Sequence, residues 1–144
     1  MDKDSDQDTD FQLWAKPLLD AAVNQLMNNQ VLQNSNIEAR VVWRITESIF
    51  IAQIREYSQQ ESFRWLIGGN DYPVDEVSGS VAEQPKDVAR HFALKWQLGA
   101  EQIRKMDDEA RNRLASGQDT NAMSDRLSLQ AEMLYELAEN TSIW

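Results

Sequence analysis

The chain has 144 residues, enough for one domain with a substantial core, and 42% of them are hydrophobic. It contains no cysteine, which excludes disulfides, thiolate metal sites and thiol nucleophiles. The formal net charge is −10, and the basic residues are scattered along the chain. We therefore expect no nucleic acid partner, because phosphates repel an acidic protein that lacks a basic patch.

The first ten residues are acidic and polar. Residues 1–10 alternate aspartate with other residues, which predicts a solvated, disordered tail because the like charges repel one another. The spacing is superficially that of a calcium loop, but the glycine and glutamate that such a loop needs are missing. An acidic start does not fit a secretory signal, and no apolar run is long enough to span a membrane. We expect a cytoplasmic protein without membrane contact, in which residues 11–144 form a single α+β domain.

A helix is predicted over about residues 16–32. Pro17 falls near its start, where the missing N–H of proline has no helical partner to lose. Apolar residues then recur at spacings of three and four, which indicates one buried stripe. The stripe consists of Leu19, Ala22, Val23, Leu26 and Met27.

Residues 38–57 are dense in β-branched side chains, which fit a pleated sheet better than a helix. We interpret them as two strands, about 39–46 and 49–57, joined by a turn at Thr46-Glu47-Ser48. A partly helical segment stays open, because four apolar residues also have helical spacing: Val42, Ile45, Ile49 and Ala52.

A third strand is predicted over residues 62–68. Phe63, Trp65 and Ile67 alternate with other residues, as in a strand with one buried face. These strands would form a three-stranded antiparallel meander. A long ordered loop, 68–84, follows and holds three of the five glycines. Loops of this length are often functional.

Two helices are predicted after the loop, both packed on the sheet. The first begins at Pro85 and the last covers about 121–139. The inward stripe of the first helix is expected to include Val88, Phe92, Trp96, Ile103, Met106 and Ala110.

The best candidate for function is the 68–80 loop, which begins within the sequence WLIGGNDYPVDE of residues 65–76. Its oxygen donors are of the type that holds magnesium or calcium, but they match no established spacing. Asparagine and aspartate beside glycine and proline also serve ordinary turns. We assign the loop as a candidate protein contact, with no metal, cofactor or catalytic residue. The contact residues are Asn70, Asp71, Tyr72, Asp75 and Glu76.

His91 is the single histidine, so a histidine-rich metal cage is excluded. Asp87 lies one helical turn before it and could orient its imidazole, as a general base requires. The same spacing is typical of a surface pair near a helix start, and a structural role is favoured.

The chain has five tryptophans, whose rings could stack on a ligand. Trp43, Trp65 and Trp96 fall at inward positions, so core anchoring is favoured for them. Trp14 and Trp144 lie near the chain ends and are better candidates for exposed contacts, although Trp144 would also serve to dock the tail.

Two motifs together suggest a family. WLIGG..YPVDEV is followed, after a short gap, by PKDVARHFALKW, and the pair resembles a family of short, mainly proteobacterial proteins of unknown function. The matching residues are Trp65, Ile67, Gly69, Pro73 and Asp75 in the first motif, and Pro85, Phe92, Ala93 and Trp96 in the second.

The chain departs from the family pattern at two residues of the first motif. Asn70 stands where the family has aspartate, and Glu76 replaces an aromatic residue. The resemblance also implies one inserted residue near Asp71 or Tyr72. The resemblance implies that the two motifs belong together, but it assigns no activity. The neutral amide at position 70 weakens the case for an acidic metal cluster.

Two function classes follow. The leading hypothesis is a non-enzymatic cytoplasmic binding or accessory module that uses its acidic surface and the 68–80 loop for protein contact. A homodimer through an exposed helix or strand edge is an open alternative for its assembly. The contrasting hypothesis is a small metal-dependent or acid/base enzyme that uses Asp71, Asp75, Glu76 and His91.

Overall fold

A computed structural model describes residues 11–29, 37–56, 63–106 and 120–144. It confirms the α+β class, with an amino-terminal helix, an antiparallel sheet and two carboxy-terminal helices. The chain divides into two compact units, one ending at Glu83 and the other beginning at Gln84. The predicted tail, 1–10, lies outside the described residues, and the single domain stays a prediction.

The amino-terminal helix α1 covers Lys16–Asn28 and continues from a π-helical turn at Phe11–Ala15. Pro17 lies in its first turn, as predicted, and Asn29 N–H donates to Gln25 O at 3.0 Å just after its end. The predicted residues beyond Asn29 lie outside the described part of the chain. The stripe that α1 buries consists of Leu19, Ala22 and Leu26.

Four antiparallel strands follow in the order β1-β2-β3-β4. They cover Ile37–Ile45 (β1), Ile49–Glu56 (β2), Arg64–Gly69 (β3) and Asp75–Ser78 (β4). The segment that was open between strand and helix therefore forms strands, as its β-branched composition favours.

Strand β4 is an addition to the predicted three-stranded meander. It converts the middle of the predicted long loop, 68–84, into an edge strand that pairs with β3. Only Val77 of its four residues is buried, so its sequence has no clear alternation of apolar and polar residues. Its pairing with β3 defines it as a strand, and a pattern within four residues is too short to reveal that.

The central strands are buried on both faces. Helix α1 packs on the face that carries Phe50, Ala52, Ile54 and Leu66. Ile49, Ile51, Trp65 and Ile67 point to the opposite face and are buried as well. Strand β3 was expected to have one buried face, but its Leu66 is as buried as its neighbours Trp65 and Ile67.

The second unit is a pair of antiparallel helices, α2 at Pro85–Lys105 and α3 at Thr120–Glu139. Arg90 near the start of α2 reaches Glu139 at the end of α3, at 3.1 Å. Arg104 near the end of α2 reaches Asp125 near the start of α3, at 3.3 Å. The predicted packing of both helices on the sheet stays a prediction.

Helix α2 ends earlier than its predicted stripe. Met106 has an extended backbone and follows the helix, and Ala110 lies outside the described residues. Val88, Phe92 and Trp96 are buried as predicted. None of the described helices combines the length and the hydrophobicity that crossing a membrane requires.

The tryptophans largely anchor the structure. Trp65 and Trp96 are buried, as predicted, whereas Trp43 is half-buried. Trp144 is half-buried, and its indole N–H donates to Leu137 O at 2.9 Å, which confirms that it docks the tail.

Trp14 was a candidate for an exposed contact, but it is half-buried. Its ring meets Phe50 edge-on, with centroids 6.3 Å apart. Its buried Nε1 has no hydrogen-bond acceptor within the described part of the chain. Trp14 therefore contributes to the core of the first unit through its ring.

We predict that Leu66→Ala lowers the free energy of unfolding by about 2–5 kcal/mol, because the deletion leaves a cavity between the sheet and α1. Urea unfolding followed by tryptophan fluorescence measures the change. Leu13→Ala is the matched control, since Leu13 is 78% exposed in the same unit and its truncation is expected to cost less than about 0.5 kcal/mol. Equal losses in the two variants would contradict the burial of Leu66.

Candidate functional site: two joined turns at one end of the sheet

The candidate loop begins at the end of β3, beside the turn that joins β1 to β2. Asn70 N–H donates to Ser48 O at 3.0 Å. The side-chain amide of Asn70 donates through Nδ2 to Glu47 O at 2.7 Å. These two hydrogen bonds join the turns, and we call residues 46–48 and 70–72 the two-turn surface.

The β1–β2 turn has an uncommon backbone conformation. Glu47 has φ 62°, in the left-handed region, which costs a residue with a Cβ roughly 1–2 kcal/mol. Ser48 N–H closes the turn by donating to Ile45 O at 3.0 Å. In this conformation the carbonyl of Glu47 accepts the hydrogen bond from the Asn70 side chain. The two hydrogen bonds from Asn70 therefore stabilise a turn whose backbone is strained.

Gly69 permits the close approach of the two turns. A Cβ at this position would lie 2.1 Å from Ser48 O, which is far inside van der Waals contact with backbone. Gly69 pairs with Ile49 across the β2–β3 ladder, so relieving that contact would disturb the end of the sheet. The absence of a side chain at Gly69 therefore brings Asn70 within reach of the turn.

Asn70 is the position at which the resemblance leads us to expect an aspartate. An amide has N–H donors, whereas an ionised carboxylate has only acceptors. The group facing Asn70 Nδ2 is the carbonyl oxygen of Glu47, which requires a donor. The asparagine thus fits a structural function that an ionised aspartate does not perform.

Two neighbours of Asn70 differ in their exposure. Asp71 is exposed, whereas Tyr72 is only 8% exposed. Burial raises the pKa of the Tyr72 hydroxyl, and the charge of Asp71 raises it further. Tyr72 is therefore neutral at physiological pH, and its position fits an anchor for the loop.

The last two candidate residues lie on β4 and have structural partners. Asp75 Oδ1 accepts a hydrogen bond from Glu76 N–H at 2.8 Å. The carboxylate of Glu76 forms an ion pair with Arg64 on the adjacent strand, and only 18% of its side chain is exposed. Of the three acidic candidates in this loop, Asp71 offers the most accessible carboxylate.

The metal and acid/base hypothesis depends on acidic side chains of the loop and on His91. Over the described ranges, no three His, Cys, Asp or Glu side chains are grouped to hold a metal ion. His91 is exposed on α2, and its ring lies edge-on to that of Phe92, with centroids 6.4 Å apart. Asp87 Oδ1 lies 3.7 Å from Arg90 Nη1, so Asp87 has a cation partner on its own helix.

Glu47 is the exposed acidic residue of this surface that the sequence reasoning missed. It is exposed and, like Asp71, belongs to the two joined turns. A signal was present, because in an antiparallel meander the first and third turns lie at the same end of the sheet. The predicted turn at residues 46–48 could therefore have been placed beside the loop.

The first unit also has a cleft of about 260 Å³ on its sheet. Its charged and polar side chains are bonded to each other across β1 and β2. Arg55 pairs with Glu38 at 2.6 Å, and Arg40 donates to Gln53 at 3.1 Å. Such pairs are typical of a solvated sheet face, and we assign the cleft no function.

The fold and this surface define an α+β protein with a four-stranded antiparallel sheet and exposed acidic residues on two joined turns at one end of it. The chain belongs to the family described as Domain of unknown function (DUF4826), whose model matches residues 8–144. This match confirms the resemblance to a family without an assigned function. Neither a curated protein nor a solved structure matches the chain.

We predict that Asn70→Asp lowers the free energy of unfolding by about 1–3 kcal/mol at pH 7, because a carboxylate facing Glu47 O lacks a donor. Protonation restores a donor, so the loss should shrink as the pH falls from 7 towards about 4 and be smallest below that pH. Denaturant unfolding at several pH values measures it. Asn24→Asp is the control, since Asn24 is exposed on α1. A loss at position 70 that matches the control, or one that is independent of pH, would contradict this assignment.

We also predict that Gly69→Ala disrupts the end of the sheet, because its Cβ would meet the backbone of Ser48. Thermal unfolding should show a clear loss of stability, beyond about 1 kcal/mol. Gly99→Ala is the contrasting change, since a Cβ on this helical glycine would lie 3.4 Å from Leu127 Cδ2 and helix propensity improves. Similar behaviour of the two variants would exclude the close approach at Gly69.

Proposed function

We propose that this protein is a non-enzymatic cytoplasmic binding module whose two-turn surface contacts a basic patch on a partner protein. The observation that carries the proposal is the pair of hydrogen bonds from Asn70 to the β1–β2 turn. Because they hold both turns in one conformation, a partner does not have to order the turns when it binds. A binding surface that is organised in advance loses less conformational entropy on association.

The charge of the surface supports a basic partner. Glu47 and Asp71 are exposed on the joined turns, and the chain as a whole has a net charge of −10. An acidic surface attracts a basic protein during encounter and repels nucleic acid. The interaction should therefore weaken as salt is added, because salt screens exposed charges.

The proposal narrows the predicted contact loop to its exposed part. Asn70 and Asp71 would contact the partner directly, together with Glu47 of the neighbouring turn. Tyr72 would anchor the loop from inside, while Asp75 and Glu76 hold β4 in place. The five predicted residues thus belong to one structure, with different functions.

Affinity capture from a native lysate tests this function. The bait is the full chain, and the test variant is Glu47→Gln/Asp71→Asn, which removes two charges without changing side-chain size. We expect partners of the wild type to elute at raised salt and to bind the variant about 2- to 30-fold more weakly, as for the loss of two exposed ion pairs.

The matched control for the capture is Glu101→Gln/Glu136→Gln, which removes two exposed charges from α2 and α3. It should retain every partner that the wild type retains. Circular dichroism establishes that both variants are folded. Unchanged capture by the Glu47→Gln/Asp71→Asn variant would refute the proposal.

A further inference from the structure

The helical unit has an open groove between α2 and α3, with a volume of about 520 Å³. Small side chains line it on both helices: Ala93 on α2, and Ser128 and Ala131 on α3. Larger side chains at these positions would fill the space between the helices. The groove therefore follows from the sequence, and it is wide enough to accept side chains from another molecule.

Exposed apolar side chains lie along this groove. Leu94 and Tyr135, which line it, are 57% and 54% exposed. Leu98 lies one helical turn after Leu94 and is 51% exposed. Residues four apart share a helix face, so Leu94 and Leu98 form a ridge on α2. Clustered exposed apolar residues are characteristic of an interaction surface.

This one patch carries both a depression and a projecting ridge. Leucine side chains projecting from one helix surface fit a depression floored by alanine and serine, as ridges fit grooves in helix packing. Because one surface carries both features, it fits a second copy of itself. A symmetric dimer uses the same patch on both subunits, so this self-complementarity is what a symmetric interface requires.

The charges along the groove are also self-complementary. Arg90 and Glu132 both line it and carry opposite charges. Arg90 belongs to α2, and its guanidinium lies 3.1 Å from Glu139 of α3 and 3.7 Å from Asp87 of α2. Glu132 belongs to α3. In a symmetric pair each arginine can meet the glutamate of the other copy, so no like charges are forced together.

We propose that a second copy of this chain docks on the α2–α3 groove, giving a symmetric dimer with a four-helix interface. The Leu94 and Leu98 ridge of each copy lies in the groove of the other. Antiparallel helix pairs commonly associate in this way, because each pair buries the apolar stripe of the other. This interface uses a different surface from the two-turn contact, and either proposal can fail without the other.

Sedimentation of the full chain over a concentration series is the first test. We expect a reversible dimer with a dissociation constant of about 1–50 µM, as for a small helical interface. Leu94→Glu should weaken the dimer by about 30-fold or more, because it places a charge in the apolar centre. Leu129→Glu is the matched control, since Leu129 is 56% exposed on α3 but does not line the groove.

Cross-linking is the second test, and it does not depend on the folding of Leu94→Glu. The chain has no cysteine, so Leu94→Cys, Tyr135→Cys and Leu129→Cys each introduce a single thiol. A short bis-maleimide should join two copies of Leu94→Cys, or two copies of Tyr135→Cys, far more efficiently than two copies of Leu129→Cys.

Several results would overturn the dimer. These are a wild-type chain that stays monomeric at about 100 µM, a dimer that Leu94→Glu leaves intact, and cross-linking that favours position 129. A monomer that instead binds an amphipathic helix of another protein in this groove would also overturn it.

Discussion

The hydrogen bond from the Asn70 amide to Glu47 O is the interaction on which the candidate site depends. It connects two turns that are far apart in sequence and adjacent only because the strands form an antiparallel meander. Gly69 allows the approach, and the left-handed conformation of Glu47 supplies the acceptor. The buried β2 and β3 strands hold the register that brings these groups together. The two-turn surface therefore depends on the pairing of the strands and on the side-chain amide of Asn70.

Much of the fold follows from local sequence. The β-branched residues of 38–57 predict strands, and the structure places β1 and β2 within two residues of the predicted bounds. Pro17 and Pro85 correctly predict the starts of helices. Strand β4 could not be predicted in the same way, because it is short and buries only Val77. It forms a strand because it pairs with β3, and the local sequence pattern does not reveal a pairing partner.

The candidate loop can be chosen from the sequence, but the contacts of each residue in it cannot. The ion pair of Glu76 with Arg64, the burial of Tyr72 and the acceptor of Asn70 all depend on residues of other segments. From sequence alone, the neutral amide of Asn70 counts against a metal cluster. The structure explains the asparagine, because position 70 needs a hydrogen-bond donor to Glu47 O. Glu47 was missed because its proximity arises from strand pairing.

The central claim is that the two turns form one ordered surface before any partner binds. Native-state hydrogen exchange, measured by NMR on the full chain, tests it most directly. The amide of Ser48 donates to Ile45 O, and the amide of Asn70 donates to Ser48 O. We predict that both are protected nearly as strongly as the amides of β2 and β3, and that Asn70→Ala lowers their protection by at least about tenfold. Exchange of both wild-type amides at the rate of an unstructured loop would contradict the account.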